Sequence, residues 1–301
     1  LVGGGGRYAV EFSEGAAVPT VDLVPAGTLE LFRKVGVDPE SSGDLISLFF
    51  SVWNETQLVE HRATGEAIAA IARGGFEEAA RAIREGSPHT EGSLTRWVLD
   101  EMAARGITVD ADTHVAVDAG AADPHYAPEG EGETIGAGQL LLIDLWGRPH
   151  EQAVFADQTW MGWMGPTPPD EVVRVWELVR DARDAGVALL EARAAAGEEV
   201  RGFEVDARCR EVIAEDGHAE HFIHRTGHSM DRKLHGSGPN LDDLETRDDR
   251  ILVPGVGFSI EPGIYLPGEF GVRSEINVHF GPGGPEVTPK RIQRDLFTFD
   301  V

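Results

Sequence analysis

Cysteine is nearly absent: Cys209 is the only one in 301 residues. No intrachain disulfide can form, which fits a reducing, cytoplasmic setting. No apolar run approaches the ~20 residues that a membrane-spanning helix needs, so no membrane partner is expected. Basic residues are scarce, with 26 Lys and Arg against 52 Asp and Glu and a net charge of -26. Such a field repels nucleic acid and anionic lipid alike, and most of it serves solubility. The start, LVGGGGRYAV, has neither the basic nor the apolar region of a secretory signal. It also lacks Met, and the expectation drawn from that is a start inside a longer natural protein. The glycines at 3–6 are not followed by the residues of a phosphate-binding loop.

What is present is an ordinary globular composition, 41% hydrophobic, long enough for a large core. The pattern alternates in blocks. Residues 1–55 carry short strand candidates such as RYAVEF and one helix at AGTLELFRKVG. Helical spacing starts at Glu55 and recurs after Pro168 and Pro169. Strand-like, turn-rich segments occupy 108–165 and 219–301. The two helical blocks end alike, Gly86 to Gly106 and Gly197 to Gly217, each closing on an apolar helix. This predicts an α+β fold built from a duplicated helix-helix-strand unit with pseudo-two-fold symmetry.

Five residues stand out because each places a charge or a ligand group in an apolar or glycine-marked segment. They are Asp144 in QLLLIDLW, Asp157 in AVFADQTW, His228 in HRTGHSMD, Glu261 in GFSIEPGIY and Glu275 in GVRSEINVHF. An unpaired buried carboxylate is costly, or it takes up a proton. Asp144 and Asp157 are expected on neighbouring strands of a hairpin, and SIEPGIY and GVRSEINV as a second strand pair across PGEFG. If the five converge, four carboxylates and an imidazole form an oxygen-rich site for two divalent cations. Carboxylate-dominated coordination favours Mn²⁺, with Zn²⁺, Co²⁺ and Fe²⁺ as alternatives. His61, His89, His114, His150, His218 and His279 are taken as surface or packing residues. Trp160, Met161, Trp163 and Met164 are candidates equally for a pocket lining and for packing. NLDDLETRDD lacks the glycine and terminal glutamate of an EF-hand loop, so it is read as a solvated acidic loop.

LIDLW, FADQTW, TGHSMD, SIEPG and VRSE together resemble the metallopeptidase family of the creatinase or pita-bread fold, over about residues 55–290. That family includes methionine aminopeptidase, aminopeptidase P and prolidase, and the proline-specific branch matches best. The resemblance implies a catalytic pita-bread domain over 56–301. It implies a remnant of an amino-terminal domain with its linker over 1–55. It assigns Asp144 to one metal, Asp157 and Glu275 as bridges to both, and His228 and Glu261 to the other. It makes His125 in DPHY, His224, His235 and Arg273 substrate-binding. Glu261 would carry the catalytic proton, with His125 and His235 assisting. Short peptides with proline second are the implied substrates, and a homodimer the implied assembly. The chain departs from the family at Trp160, where proline-specific members usually carry arginine, at Asn277, at TGHSMD and in a longer Asp144–Asp157 connection. A creatinase-like hydrolase and a non-catalytic binding protein that keeps the fold are the alternatives.

Overall fold

Asn54 and Gln57 set the start of the first long helix by satisfying each other's backbone N–H groups, at 2.9 and 3.0 Å. The computed structural model describes residues 6–110, 113–124, 126, 128 and 130–301. An amino-terminal unit comes first: β1 (Gly6–Val10), α1 (Ala26–Lys34), β2 (Val37–Ser41) and α2 (Gly43–Phe50). β1 and β2 run parallel, joined through α1. α2 buries only Gly43 and Ser47, and leaves Leu45, Leu48, Phe49 and Phe50 exposed.

Two equivalent halves follow. The first is α3 (Glu55–Arg84), α4 (Glu91–Ala104), β3 (His114–Val117), β4 (Leu140–Gly147) and β5 (Ala156–Trp163). The second is α5 (Asp170–Ala196), α6 (Gly202–Glu215), β6 (Ser229–Met230), β7 (Val256–Ile260), β8 (Gly263–Leu266), β9 (Phe270–Arg273), β10 (Ile276–Gly281), β11 (Gly284–Thr288) and β12 (Phe297–Thr298). α4 and α6 are both 14 residues long, and each is entered through a capping box, Thr90 with Ser93 and Arg201 with Glu204. The strands form two four-stranded sheets, in the orders β12-β5-β4-β3 and β11-β10-β7-β6. The expected duplication is therefore realised, one helix pair and one four-stranded sheet per half, with β12 from the second half crossing over to join β5 in the first sheet.

Each half has its own core. α3 and α4 pack Ile68, Phe76, Leu94 and Val98 against Leu141, Ile143 and Leu145 of β4. α5 and α6 pack Trp176, Val179 and Cys209 against Phe258 and Val278, in a cluster that also takes in Leu140, Leu142 and Met161. β4 thus sends its odd residues to one core and its even residues to the other, which is why all eight of its residues are buried. Among the described residues no helix is long and apolar enough to cross a membrane.

One sequence expectation needs correction. SIEPGIY and GVRSEINV do not form one uninterrupted strand pair. β8 pairs with β9, and β7 pairs with β10, but both ladders break between them at Glu261–Pro262 and at Ser274–Glu275. Pro262 has no N–H to offer a ladder. The N–H of Glu261 instead donates to Thr226 O at 2.7 Å, and that of Glu275 to Thr159 O at 3.3 Å.

Candidate metal centre

The even-numbered face of β4 runs from Leu140 and Leu142, in the core, to Asp144 and Trp146. β5 lies antiparallel beside it, with Asp144 opposite Thr159 and Trp146 opposite Asp157. The two aspartates are therefore diagonal neighbours on one face, although an eight-residue connection, not a tight turn, joins the strands. β10 supplies Asn277, whose side-chain oxygen accepts from Asp157 N at 3.0 Å while its amide donates to Asp157 O. This clamp fastens the sheet of one half to the sheet of the other at a ligand candidate.

Glu261 and Glu275 enter from the ribbon breaks, and His228 from the residue just before β6. Gly227 makes that approach feasible, since a Cβ there would lie 2.0 Å from Ser259 O. The Ser259 hydroxyl accepts from His228 N at 3.0 Å and donates to Glu261 Oε1 at 3.0 Å. His228 Nε2 then lies 3.3 Å from Asp157 Oδ2 and 3.4 Å from Glu261 Oε1. Ligand atoms of Asp157, His228 and Glu275 lie within 4.8 Å of one another. Asp144 joins through Thr159, whose hydroxyl is 2.9 Å from both Asp144 Oδ1 and Glu275 Oε2.

That hydroxyl has one hydrogen, and it also accepts from Arg273 Nε at 2.8 Å. It can donate to only one of the two carboxyls, so both contacts are satisfied when the other carries its own proton. Burial, followed by Asp157, Glu261 and Asp144, pushes Glu275 well above the carboxylate range, which marks it as the protonated partner. Burial also raises Asp157 to about 7, with the Asp144 charge adding to it and His228 opposing. Burial works against a charged His228, yet Asp157 and Glu261 outweigh it and hold the imidazole above its usual value.

The donor set fits a pair of divalent cations. Asp157 Oδ1 and Glu275 Oε1 are buried and have no hydrogen-bond partner, the state in which a carboxylate oxygen is costly without a cation. Four carboxylates and one imidazole line a cavity of about 350 Å³ together with His114, Trp146, His224, His235 and Arg273.

The other expected site residues are placed as follows. His235 stands edge-on to His228, ring centres 4.4 Å apart, and burial followed by the His228 charge lowers it to about 4. His224 Nε2 is hydrogen-bonded with the Tyr265 hydroxyl at 2.7 Å. Arg273 is buried and spans Asp144, at 2.5 Å, and Thr159. His125 lies outside the described residues. Trp160 points to the opposite face, into the α3 core and onto Phe297, and Met161 and Met164 are also core. Trp163 packs part-buried against the core, so none of the four lines this cavity.

Three further readings change. His114, taken as surface or packing, lines the cavity with Nδ1 3.7 Å from Asp144 Oδ2. Pairing THVAVDAG antiparallel to LLLIDLW would have revealed it, because His114 stands opposite Asp144. Thr159 and Tyr265 were also missed. The acidic loop is not simply solvated: Asp242 and Asp248 are buried, and Asp242 accepts the N–H groups of Leu244, Glu245 and Thr246.

A paired-helix, paired-sheet fold with carboxylates donated by both halves defines a duplicated α+β architecture with a candidate metal centre between its sheets. Residues 65–281 match the model of metallopeptidase family M24, and the chain belongs to that family. It is 30% identical over 264 residues to the probable dipeptidase PepE of Mycobacterium bovis, covering 87% of this chain and 65% of that protein. It is 31% identical over 223 residues to an Xaa-Pro dipeptidase of Lactobacillus delbrueckii subsp. lactis, covering 73% of this chain and 55% of that one. The chain thus spans less than two thirds of the length of these curated relatives. Among solved structures, dipeptidase PepE from Mycobacterium ulcerans superposes with a TM-score of 0.71 at 26% identity, over 93% of this chain and 70% of that one. The fold is the pita-bread fold shared with these peptidases.

Proposed function

We propose that the chain is a metal-dependent exopeptidase that hydrolyses Xaa-Pro bonds in short peptides. The observation that carries this reading is the convergence of Asp144, Asp157, His228, Glu261 and Glu275 on one cavity, with two buried carboxylate oxygens lacking a partner. Family membership and the Xaa-Pro dipeptidase and dipeptidase names of its relatives support the substrate class.

The five residues would hold two divalent cations, Mn²⁺ before Zn²⁺, Co²⁺ or Fe²⁺ because the donors are mostly hard oxygens. When bound, such a pair brings a water's pKa toward neutrality and polarises the scissile carbonyl. Glu261 is the proton carrier: its Oε1 takes the water's proton and passes it to the leaving nitrogen. Among the five it is the most exposed, with 14% of its side chain accessible. His235 and His125 hydrogen-bond the peptide. His224, tied to Tyr265, forms the adjoining wall of the substrate site. Arg273, buried in the cavity lining, orients Asp144 through its guanidinium and is the contact for a substrate carboxylate.

Residues 1–55 are read as part of an amino-terminal domain and linker, and 56–301 as the catalytic domain. The exposed apolar face of α2 and the separate two-stranded parallel sheet β1–β2 support that division, since parallel strands are normally covered on both faces. A homodimer in the cytoplasm is the proposed setting.

A peptide panel with added Mn²⁺ tests the reading. Release of proline from Xaa-Pro dipeptides, with no cleavage when alanine replaces proline, supports it. Cleavage of tripeptides in preference to dipeptides moves it to the aminopeptidase side. Metal analysis finding no bound divalent ion, together with no hydrolysis, would favour a scaffold that binds without reacting.

A further inference from the structure

We propose that Trp146 and His114 form a wall that selects the first residue of the peptide, favouring small side chains there. The proposal rests on the exopeptidase reading for the identity of the ligand. The placement follows from register. On three adjacent strands, His114 is the cross-strand partner of Asp144, and Trp146 is the cross-strand partner of Asp157. Directly paired residues project from the same face of a sheet. The two aromatic rings therefore stand on the carboxylate face, and both line the cavity.

They also brace each other. The rings meet edge to face, 5.1 Å between centres and 87° between planes. Trp146 is 7% exposed, and its indole N–H has no hydrogen-bond partner. No polar anchor therefore holds this indole, and its packing at the cavity edge is what remains for it to contribute. The His114 side chain is 38% exposed, so it forms the open lip of the same wall. His228 and His235, ring centres 4.4 Å apart, line the same cavity. Its volume is about 350 Å³, at the small end for a ligand site.

The first residue is the one affected because its free amino group is drawn to the carboxylates that line the cavity, Asp144, Asp157, Glu245, Glu261 and Glu275. Two of these, Asp144 and Asp157, have the two rings as their cross-strand neighbours. The side chain on the same α-carbon must then lie against the indole. A methyl group fits there, and a benzyl group meets the indole edge. Neither ring needs to donate to or accept from the substrate for this selection.

The test compares Ala-Pro, Leu-Pro and Phe-Pro on the wild type, Trp146→Ala, Trp146→Phe and His114→Ala, each loaded with Mn²⁺ and checked for metal content. Wild type should prefer Ala-Pro. Trp146→Ala should raise kcat/KM for Phe-Pro relative to Ala-Pro by about tenfold, mostly through KM, the scale on which an apolar pocket discriminates. Trp146→Phe should keep the wild-type order, and His114→Ala should relax it less than Trp146→Ala. An active, metal-loaded Trp146→Ala protein with the wild-type order overturns the wall. A wild type that cleaves none of the three overturns the exopeptidase reading instead. In that event calorimetric titration with the same peptides decides the wall: Trp146→Ala must gain affinity for Phe-Pro over Ala-Pro, and an unchanged ratio ends the proposal.

Discussion

Asn277 holds the peptide group of Asp157 at both ends, accepting from its N–H and donating to its carbonyl. A side chain of the second half thereby sets the backbone of a ligand candidate in the first. Asn277 is fully buried, so its loss leaves two backbone groups unpaired. Asn277→Ala should cost about 2 kcal/mol of stability. Asn277→Asp should cost more, because a carboxylate would face the Asp157 carbonyl with no donor. Denaturant unfolding measures the loss, and Mn²⁺ titration should show weaker binding in both variants. Wild-type stability and metal affinity in Asn277→Ala would remove the clamp from the account.

Replacing a ligand carboxylate should separate stability from metal binding. Glu275→Gln is nearly isosteric, and burial already shifts Glu275 upward, toward its protonated form. The metal-free variant should melt at or above the wild-type temperature at pH 7, yet lose the stabilisation that Mn²⁺ confers. Asp144→Asn should lose metal and activity too, and should also melt lower, because it weakens the buried pairing with Arg273. Thermal scans with and without Mn²⁺ decide this. Full Mn²⁺ stabilisation of Glu275→Gln would take that residue out of the ligand set.

Metal uptake should release protons. Asp157 is raised from 3.8 to about 7 by burial first, and Glu275 is raised by the same cause. At pH 6 Asp157 carries a proton much of the time, Glu275 is shifted in the same direction, and a cation must displace such protons. Calorimetry in buffers of different ionisation enthalpy should show net release that shrinks as the pH rises past 7. A raised carboxyl pKa also means that the folded, metal-free chain binds more protons than the unfolded one. Its contribution to stability therefore falls as pH climbs from 3.8 toward 7. Metal binding with no proton release at pH 6 would contradict the assigned protonation.

His61 should make the fold acid-sensitive. It is fully buried, its Nδ1 is hydrogen-bonded with Phe155 O at 2.8 Å, and burial lowers it from 6.5 to about 4. The unfolded chain binds this proton more readily than the folded one, so stability falls as pH drops from 6.5 to about 4. The full loss is roughly 3 kcal/mol by the conversion of pKa shift to free energy. Comparing wild type with His61→Phe across that window isolates the effect, because the carboxyl contributions are common to both. Parallel stability curves for the two proteins would show that His61 does not titrate with folding.

Much of the candidate site was legible along the chain, for a physical reason. Charges such as Asp144, between Ile143 and Leu145 on a fully buried strand, need compensation wherever the strand goes. Apolar residues at helical spacing and the matching spans Gly86–Gly106 and Gly197–Gly217 are local signals, so the repeated helix pair could be anticipated. Less visible was anything that depends on a partner strand. His114 resembled the other scattered histidines until β3 was laid against β4. Trp160 stood beside a ligand segment, yet it belongs to the face that packs on α3.

The order of elements, the paired helical blocks and the choice of the five ligand candidates could be read from local chemistry, because periodicity and the cost of isolated charge act over short stretches. Tertiary structure decided the register that puts Trp146 across from Asp157. It also decided the breaks that free Glu261 and Glu275 from their ladder, and the bond from Arg273 to Asp144. The last of these joins residues 129 apart along the chain. All of them exist only once two sheets and four long helices have packed against one another.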